Sequence, residues 1–190
     1  MHNTLPKFFT FIKTFNKDHI KNLSNDIAII YRNYSTGYSK ETIEEIRNFC
    51  RKYGKKFYLS NNIKLARSLN LDGVYIPSFN RSLNMNNMNQ NKKFLRIGSA
   101  HSIKEIKIKE KQGVKLLFIS PIFKNSKDKK FLGCIKFNNL ANHTALKIIA
   151  LGGINKKNMS KLKITNAYGF ASISLFETNY KLQKNFYEQQ

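Results

Sequence analysis

Residues 94–123 read FLRIGSAHSIKEIKIKEKQGVKLLFISPIF and hold one complete strand–helix–strand unit. Phe94–Ile97 reads as a strand. Ser102 and Glu105 then form an S-x-x-E capping box, which satisfies free N–H groups at the start of a helix. That helix ends near Gly113, a residue able to take the left-handed conformation of a helix stop. Val114–Ile119 is the next strand, and Ser120-Pro121 closes it. Strands alternating with helices at this spacing imply a parallel α/β sheet.

The same unit recurs in both directions. Upstream, Phe8–Ile12 reads as a strand, and Ile27–Tyr31 is an almost continuous apolar run, as in a strand buried on both faces. A helix follows, with Ser39 as N-cap, Glu41 and Glu44 near its positive end and Gly54 as its stop. Its apolar stripe is Ile43, Ile46, Cys50 and Tyr53. Phe57–Leu59 and Val74–Ile76 are strands around a short helix carrying Ile63, Ala66 and Leu69, and the Asn-rich stretch Ser78–Asn91 is a loop. Downstream come a Lys-rich loop, a short helix with Phe137 and Leu140, and the strand Ile148–Leu151 closed by Gly152-Gly153. A helix with Met159 and Leu162, the strand Phe170–Ile173 and a closing helix over Leu175–Phe186 complete the chain. Eight strands result, with no internal repeat and no linker, so residues 1–190 are expected to form one domain. A barrel and an open doubly wound sheet both fit this alternation. No G-x-G-x-x-G follows the first strand, which argues against dinucleotide binding.

Composition narrows the function. The chain has 190 residues, below the about 250 typical of a (β/α)8 barrel, so a barrel here must be compact. The formal net charge is +23. Its lysines are spread along the whole chain beside abundant Asn, a pattern of compositional drift, and no basic arm stands apart. No specific nucleic-acid partner is expected; the charge is a general attraction for anions, small phosphates included. Cys50 and Cys134 form no C-x-x-C pair and read as free thiols of a reducing compartment. No apolar stretch has the length of a secretory core or a membrane span, so a cytoplasmic protein without a membrane partner is expected.

In a parallel barrel the site lies where strands end. The strand ends carry Arg32, Ser60-Asn61, Ser99, Ser120, Gly152-Gly153 and Ser174. Each serine alone reads as a helix cap and the glycine pair as a tight turn; the set as a whole reads as a polar rim. Phosphate sites of such barrels sit after strands seven and eight. There Gly153 lets backbone N–H groups approach an anion, and Ser174 offers an N–H and a hydroxyl. Of 11 Asp and Glu, only Asp128 and Glu177 follow strands, so no metal ligand is assigned.

Three segments resemble the thiamine phosphate synthase/TenI family: the quoted Phe94–Phe123, the ALGGI of Ala150–Ile154, and the YGFASISLF of Tyr168–Phe176. Asp72-Gly73-Val74 and Arg32 fall in the same order. The resemblance implies a compact (β/α)8 TIM barrel and small phosphorylated substrates. It implies a transferase of thiamine biosynthesis that joins a hydroxymethylpyrimidine diphosphate to a thiazole phosphate and releases diphosphate. Carried over, Gly152, Gly153, Ile173 and Ser174 hold the thiazole phosphate, and Arg32, Ser99 and Lys127 meet the diphosphate. The family's Gln-Leu-Arg-Glu-Lys segment stands here as Ile30-Tyr31-Arg32-Asn33-Tyr34, and its magnesium carboxylates as Asn61 and Asn80. Mg2+ is thus implied by the family but not by the ligands present. These departures leave an alternative open, a TenI-like thiazole isomerase or a noncatalytic binder of phosphate ligands. The isomerase His after the sixth strand is Pro121 here, and His101 reads as a residue entering its capped helix.

Overall fold

The structure is a computed structural model that describes residues 5–35, 37, 39–84, 94–125 and 130–177. Eight parallel strands close on themselves in chain order: β1 (Phe8–Ile12), β2 (Ile27–Tyr31), β3 (Phe57–Ser60), β4 (Gly73–Ile76), β5 (Leu95–Ala100), β6 (Leu116–Ile119), β7 (Lys147–Leu151) and β8 (Gly169–Ala171). The ring shuts where β1 pairs with β8, Phe9 opposite Ala171. Of the two sheets that the alternation permits, the closed (β/α)8 barrel is the one formed.

Strand side chains alternate between the barrel interior and the helix layer. The interior takes Phe9 and Phe11 from β1, Ala28 and Ile30 from β2, then Tyr58, Tyr75, Ile97, Leu116, Phe118, Ile149 and Ala171. Phe9 faces Ala28 on one side and Ala171 on the other, so small residues make room for a large one. Phe118 meets Phe9, Phe11 and Tyr75 edge-on, with centroids 5.1–6.0 Å apart. These T-shaped contacts set the positive ring edge against a negative face. The outward faces, including Ile27, Ile29 and Tyr31, pack on the helices in a second cluster.

The helices are α1 (Lys17–Asn22), α2 (Lys40–Lys52), α3 (Ile63–Ser68), α4 (Ile103–Lys111), α5 (Gly133–Ala141) and α6 (Ser174–Glu177). The Ser39 cap holds, its hydroxyl accepting from Thr42 N, and Ile43, Ile46 and Cys50 of α2 are buried. Burial pushes the Cys50 thiol up to about 12, which leaves it an inert core group. Ser102 accepts from Glu105 N, but Glu105 reaches back to His101 N, one residue before the cap. No described helix is long and apolar enough to cross a membrane.

Some expectations change. Helix α1 was not foreseen; Asn16 caps it by accepting from His19 N. The segment with Met159 and Leu162 is a 3-10 helix, Met159–Ile164. Strand β8 stops at Ala171, so Ile173 lies beyond the sheet. Strands β3 and β5 run on through Ser60 and Ala100, so Ser60 and Ser99 are strand residues. In β5, a Cβ on Gly98 would stand 2.9 Å from Lys109 Cδ and 3.0 Å from a Val114 methyl. No closing helix is described past Glu177, and the rest of that expected helix lies outside the described residues.

Candidate active site

Two-residue alternation continues the interior faces upward to the mouth of the barrel. Above Ile30 stands Arg32, above Tyr58 Ser60, above Ile97 Ser99, and above Phe118 Ser120. The Arg32 guanidinium lies 4.6 Å from the centre of the Phe11 ring, a cation–π contact that holds the charge over the core. Tyr34 and Ser60 hydroxyls are 2.6 Å apart. The Ser99 side chain acts on the Tyr75 hydroxyl. Burial pushes Tyr75 up to about 12, although Ser99 and the Arg32 charge pull the other way. Burial raises Tyr34 too, against its bond to Ser60 and the pull of Arg32. Both phenols therefore stay neutral at ordinary pH and bring O–H groups, not negative charge, to the side of the mouth where Arg32 stands.

The opposite side of the mouth is built from backbone. Gly152 and Gly153 both have positive φ, 97° and 70°. A Cβ on Gly153 would stand 2.5 Å from Lys124 O and closer still to Phe123 O, so the turn is packed against the segment after β6. Phe123 N donates to Gly152 O at 3.1 Å. In a trans peptide the carbonyl and the next N–H point in opposite directions. The Gly153 N–H is thereby aimed away from Phe123 on the β6 side. The two turns are tied together, because Ser172 Oγ donates to Ile154 O at 3.0 Å. The same oxygen accepts from Leu175 N, so Ser172 and not Ser174 caps the last helix. Ser174 and Ile173 are exposed on this rim. None of the hydrogen bonds among the described residues uses the N–H of Gly153 or of Ser174.

The structure thus brings Arg32 and Ser99 to one side of the mouth and Gly152, Gly153, Ile173 and Ser174 to the other. Lys127 lies outside the described residues. Asn61 and Asn80 meet: Asn80 Nδ2 donates to Asn61 Oδ1 at 2.7 Å. Asn80 Oδ1 accepts from Ser82 N at 3.0 Å, and that N–H fixes which way the amide faces. Asn61 sits in the left-handed region, φ 60°, a conformation Asn tolerates better than most residues. The donor set does not fit a magnesium ion. Both amide oxygens already have a donor, both groups are neutral, and no three His, Cys, Asp or Glu cluster among the described residues. His101 is engaged elsewhere, its Nδ1 2.7 Å from Ser120 O.

Tyr34, Tyr75 and Phe79 escaped the sequence reading. Tyr75 looked like any core strand residue. Tyr34 and Phe79 lie on loops, where nothing in the sequence shows that their rings meet at 5.8 Å.

Comparison with known proteins agrees with the geometry. Residues 23–176 match the thiamine monophosphate synthase family, TMP-TENI. A thiamine-phosphate synthase of Pyrococcus horikoshii is 26% identical over 161 residues, covering 83% of this chain and 77% of that one. One of Methanococcus vannielii is 27% identical over 137 residues, 70% of this chain and 66% of that one. The solved thiamine phosphate pyrophosphorylase of Pyrococcus furiosus shares the fold, with a TM-score of 0.70, 20% identity, and coverage of 89% of this chain and 86% of that chain. A match over most of the barrel, rim turns included, makes this chain a member of the thiamine monophosphate synthase family.

Proposed function

We propose that the chain is a thiamine-phosphate synthase, a transferase that joins hydroxymethylpyrimidine diphosphate to a thiazole phosphate. The observation that carries this reading is the family match across residues 23–176, which includes the Gly153 and Ser174 turns. The C–O bond to the diphosphate breaks with its electron pair leaving on oxygen, and the resulting pyrimidine cation is captured by the lone pair of the thiazole nitrogen. No proton is moved in the bond-forming step, so the protein's part is positioning and charge stabilisation.

In this reading the thiazole phosphate occupies the cup between the last two turns, with Gly152, Gly153, Ile173 and Ser174 around it. The N–H groups of Gly153 and Ser174, which no hydrogen bond among the described residues uses, support it, since backbone donors at such a turn suit an anion. Arg32 and the Ser99 side meet the diphosphate, as cation and hydroxyl donors suited to a leaving group that gains charge. Lys127 is assigned to the same phosphates. Asn61 and Asn80 border the diphosphate as a neutral pair, and no step is routed through a metal.

Purified protein incubated with both substrates, followed by chromatography for thiamine phosphate and by release of diphosphate, tests the reading. Equal release of the two products is the expected result. Tight binding of the thiazole phosphate without any turnover would refute the synthase and leave a carrier.

A further inference from the structure

Lys109 is a cation that the chemistry above leaves unused. It lies on the inner side of α4, and its side chain is fully buried. Its ammonium donates to Pro77 O at 2.7 Å, Asn80 O at 2.7 Å and Gln112 Oε1 at 2.9 Å. Gln112, also fully buried, donates from Nε2 to Asn80 O at 3.0 Å and Ser82 O at 2.9 Å. The loop after β4 is therefore gripped from behind at Pro77, Asn80 and Ser82. From the front, the side chain of Asn80 holds Asn61.

We propose that this rim holds no divalent ion between the loops after β3 and β4, and that the Lys109 ammonium organises those loops in its stead. The inference rests on reading the mouth as a diphosphate site. Magnesium demands near-octahedral oxygen ligands, commonly with a carboxylate among them. Here the two candidate side chains are amides whose oxygens are already bonded to N–H groups. The carboxylate that acts on Lys109, Glu105, is committed to His101 N. An ion seated on Asn80 would also approach the ammonium that occupies the carbonyl of the same residue, and like charges repel. The lysine needs nothing further, because three N–H donors meet three oxygens. Burial pulls Lys109 down to about 8, still charged at neutral pH.

Mn2+ titration followed by electron paramagnetic resonance tests the metal half directly on the full chain. Wild type should show no saturable site, whereas Asn61→Asp/Asn80→Asp should gain one equivalent of saturable binding, since affinity follows ligand charge. One Mn2+ per wild-type chain, lost in Asn61→Ala and Asn80→Ala, would overturn the proposal. Calorimetry with inorganic pyrophosphate adds the functional half. Affinity in EDTA should match that in Mg2+ for wild type and should become Mg2+-dependent in the double Asp variant. Pyrophosphate that binds under neither condition would refute the diphosphate reading of the mouth, and the Mn2+ titration would still decide the metal. Hydrogen exchange tests the lysine. Lys109→Met, and Gln112→Met as a milder variant that keeps the ammonium, should speed exchange at residues 77–82 and leave β1 unchanged. Unchanged exchange at residues 77–82 in both would remove Lys109 from the proposal.

Discussion

Gly153→Ala adds one methyl group at the phosphate turn, and its cost follows from two separate terms. The backbone there has φ 70°, where an L side chain costs about 1–2 kcal/mol. The new Cβ would stand 2.5 Å from Lys124 O, whereas real Cβ contacts stay beyond 3.0 Å. The neighbouring segment must give way, yet Ile122 N and Phe123 N pin it to Leu151 O and Gly152 O. Overpacking of this kind costs a further about 1–3 kcal/mol. A total of about 3 kcal/mol lowers the melting temperature by about 6–12 °C in a chain of this size. Gly133→Ala is the control: its φ is 68°, but nothing lies within 4 Å of a Cβ there. It should lose only the conformational part, about 1–2 kcal/mol. Thermal denaturation of both variants by circular dichroism gives the comparison. Equal losses would show that contact with the segment after β6 is not what demands glycine at 153.

Three further expectations concern the rim and the clamp behind it. Ser172→Ala should cost about 1–2 kcal/mol of stability through its lost cap, while Ser174→Ala should leave melting unchanged and weaken phosphate binding by roughly 10- to 100-fold; calorimetry with a thiazole phosphate and melting on the same samples separate them. Arg32→Gln should weaken pyrophosphate by about 10- to 100-fold, as expected for a charge-assisted bond, and leave thiazole phosphate affinity unchanged in the same calorimeter. Lys109 has a folded value of about 8 against an ordinary 10.5, so between those limits the unfolded chain binds more protons than the folded one. Its contribution makes stability rise as pH climbs through that window; the pH slope of denaturant-derived stability there should be less positive in Lys109→Met than in wild type, and equal slopes would contradict the assignment.

The barrel was legible because its signals are local. Ile27–Tyr31 reads as a doubly buried strand, and Ser39 and Ser102 announce helices through bonds within four residues of themselves. The glycine pair after β7 was legible for a related reason, since a positive φ is a property of the turn itself. What escaped depends on contacts between distant parts of the chain. Ser174 and Ser172 are both serines beside one strand; Ser172 is the cap, accepting from Leu175 N while its hydroxyl donates to Ile154 O, 18 positions away. Tyr34 meets Ser60 across 26 positions. Lys109 sits three residues after the buried Ile106, on the apolar side of its helix, which signals a buried lysine but not its partners 29 and 32 positions away. Asn61 and Asn80 were paired by resemblance to carboxylates; that they bond to each other needed coordinates.

The missing side chain at Gly98 has a consequence beyond this molecule. The lysine stem passes 2.9 Å from where a Cβ there would stand, and three bonds at its tip hold it in place. A chain with Ala or Val at position 98 crowds a lysine that runs from 109 to the loop after β4, and one with a short residue at 109 leaves space beside position 98. The two positions are a single choice. Among relatives they should vary together, with Gly accompanying Lys and a larger residue accompanying a smaller partner. A lineage that changes between the two states must pass through an intermediate that is either overpacked or hollow.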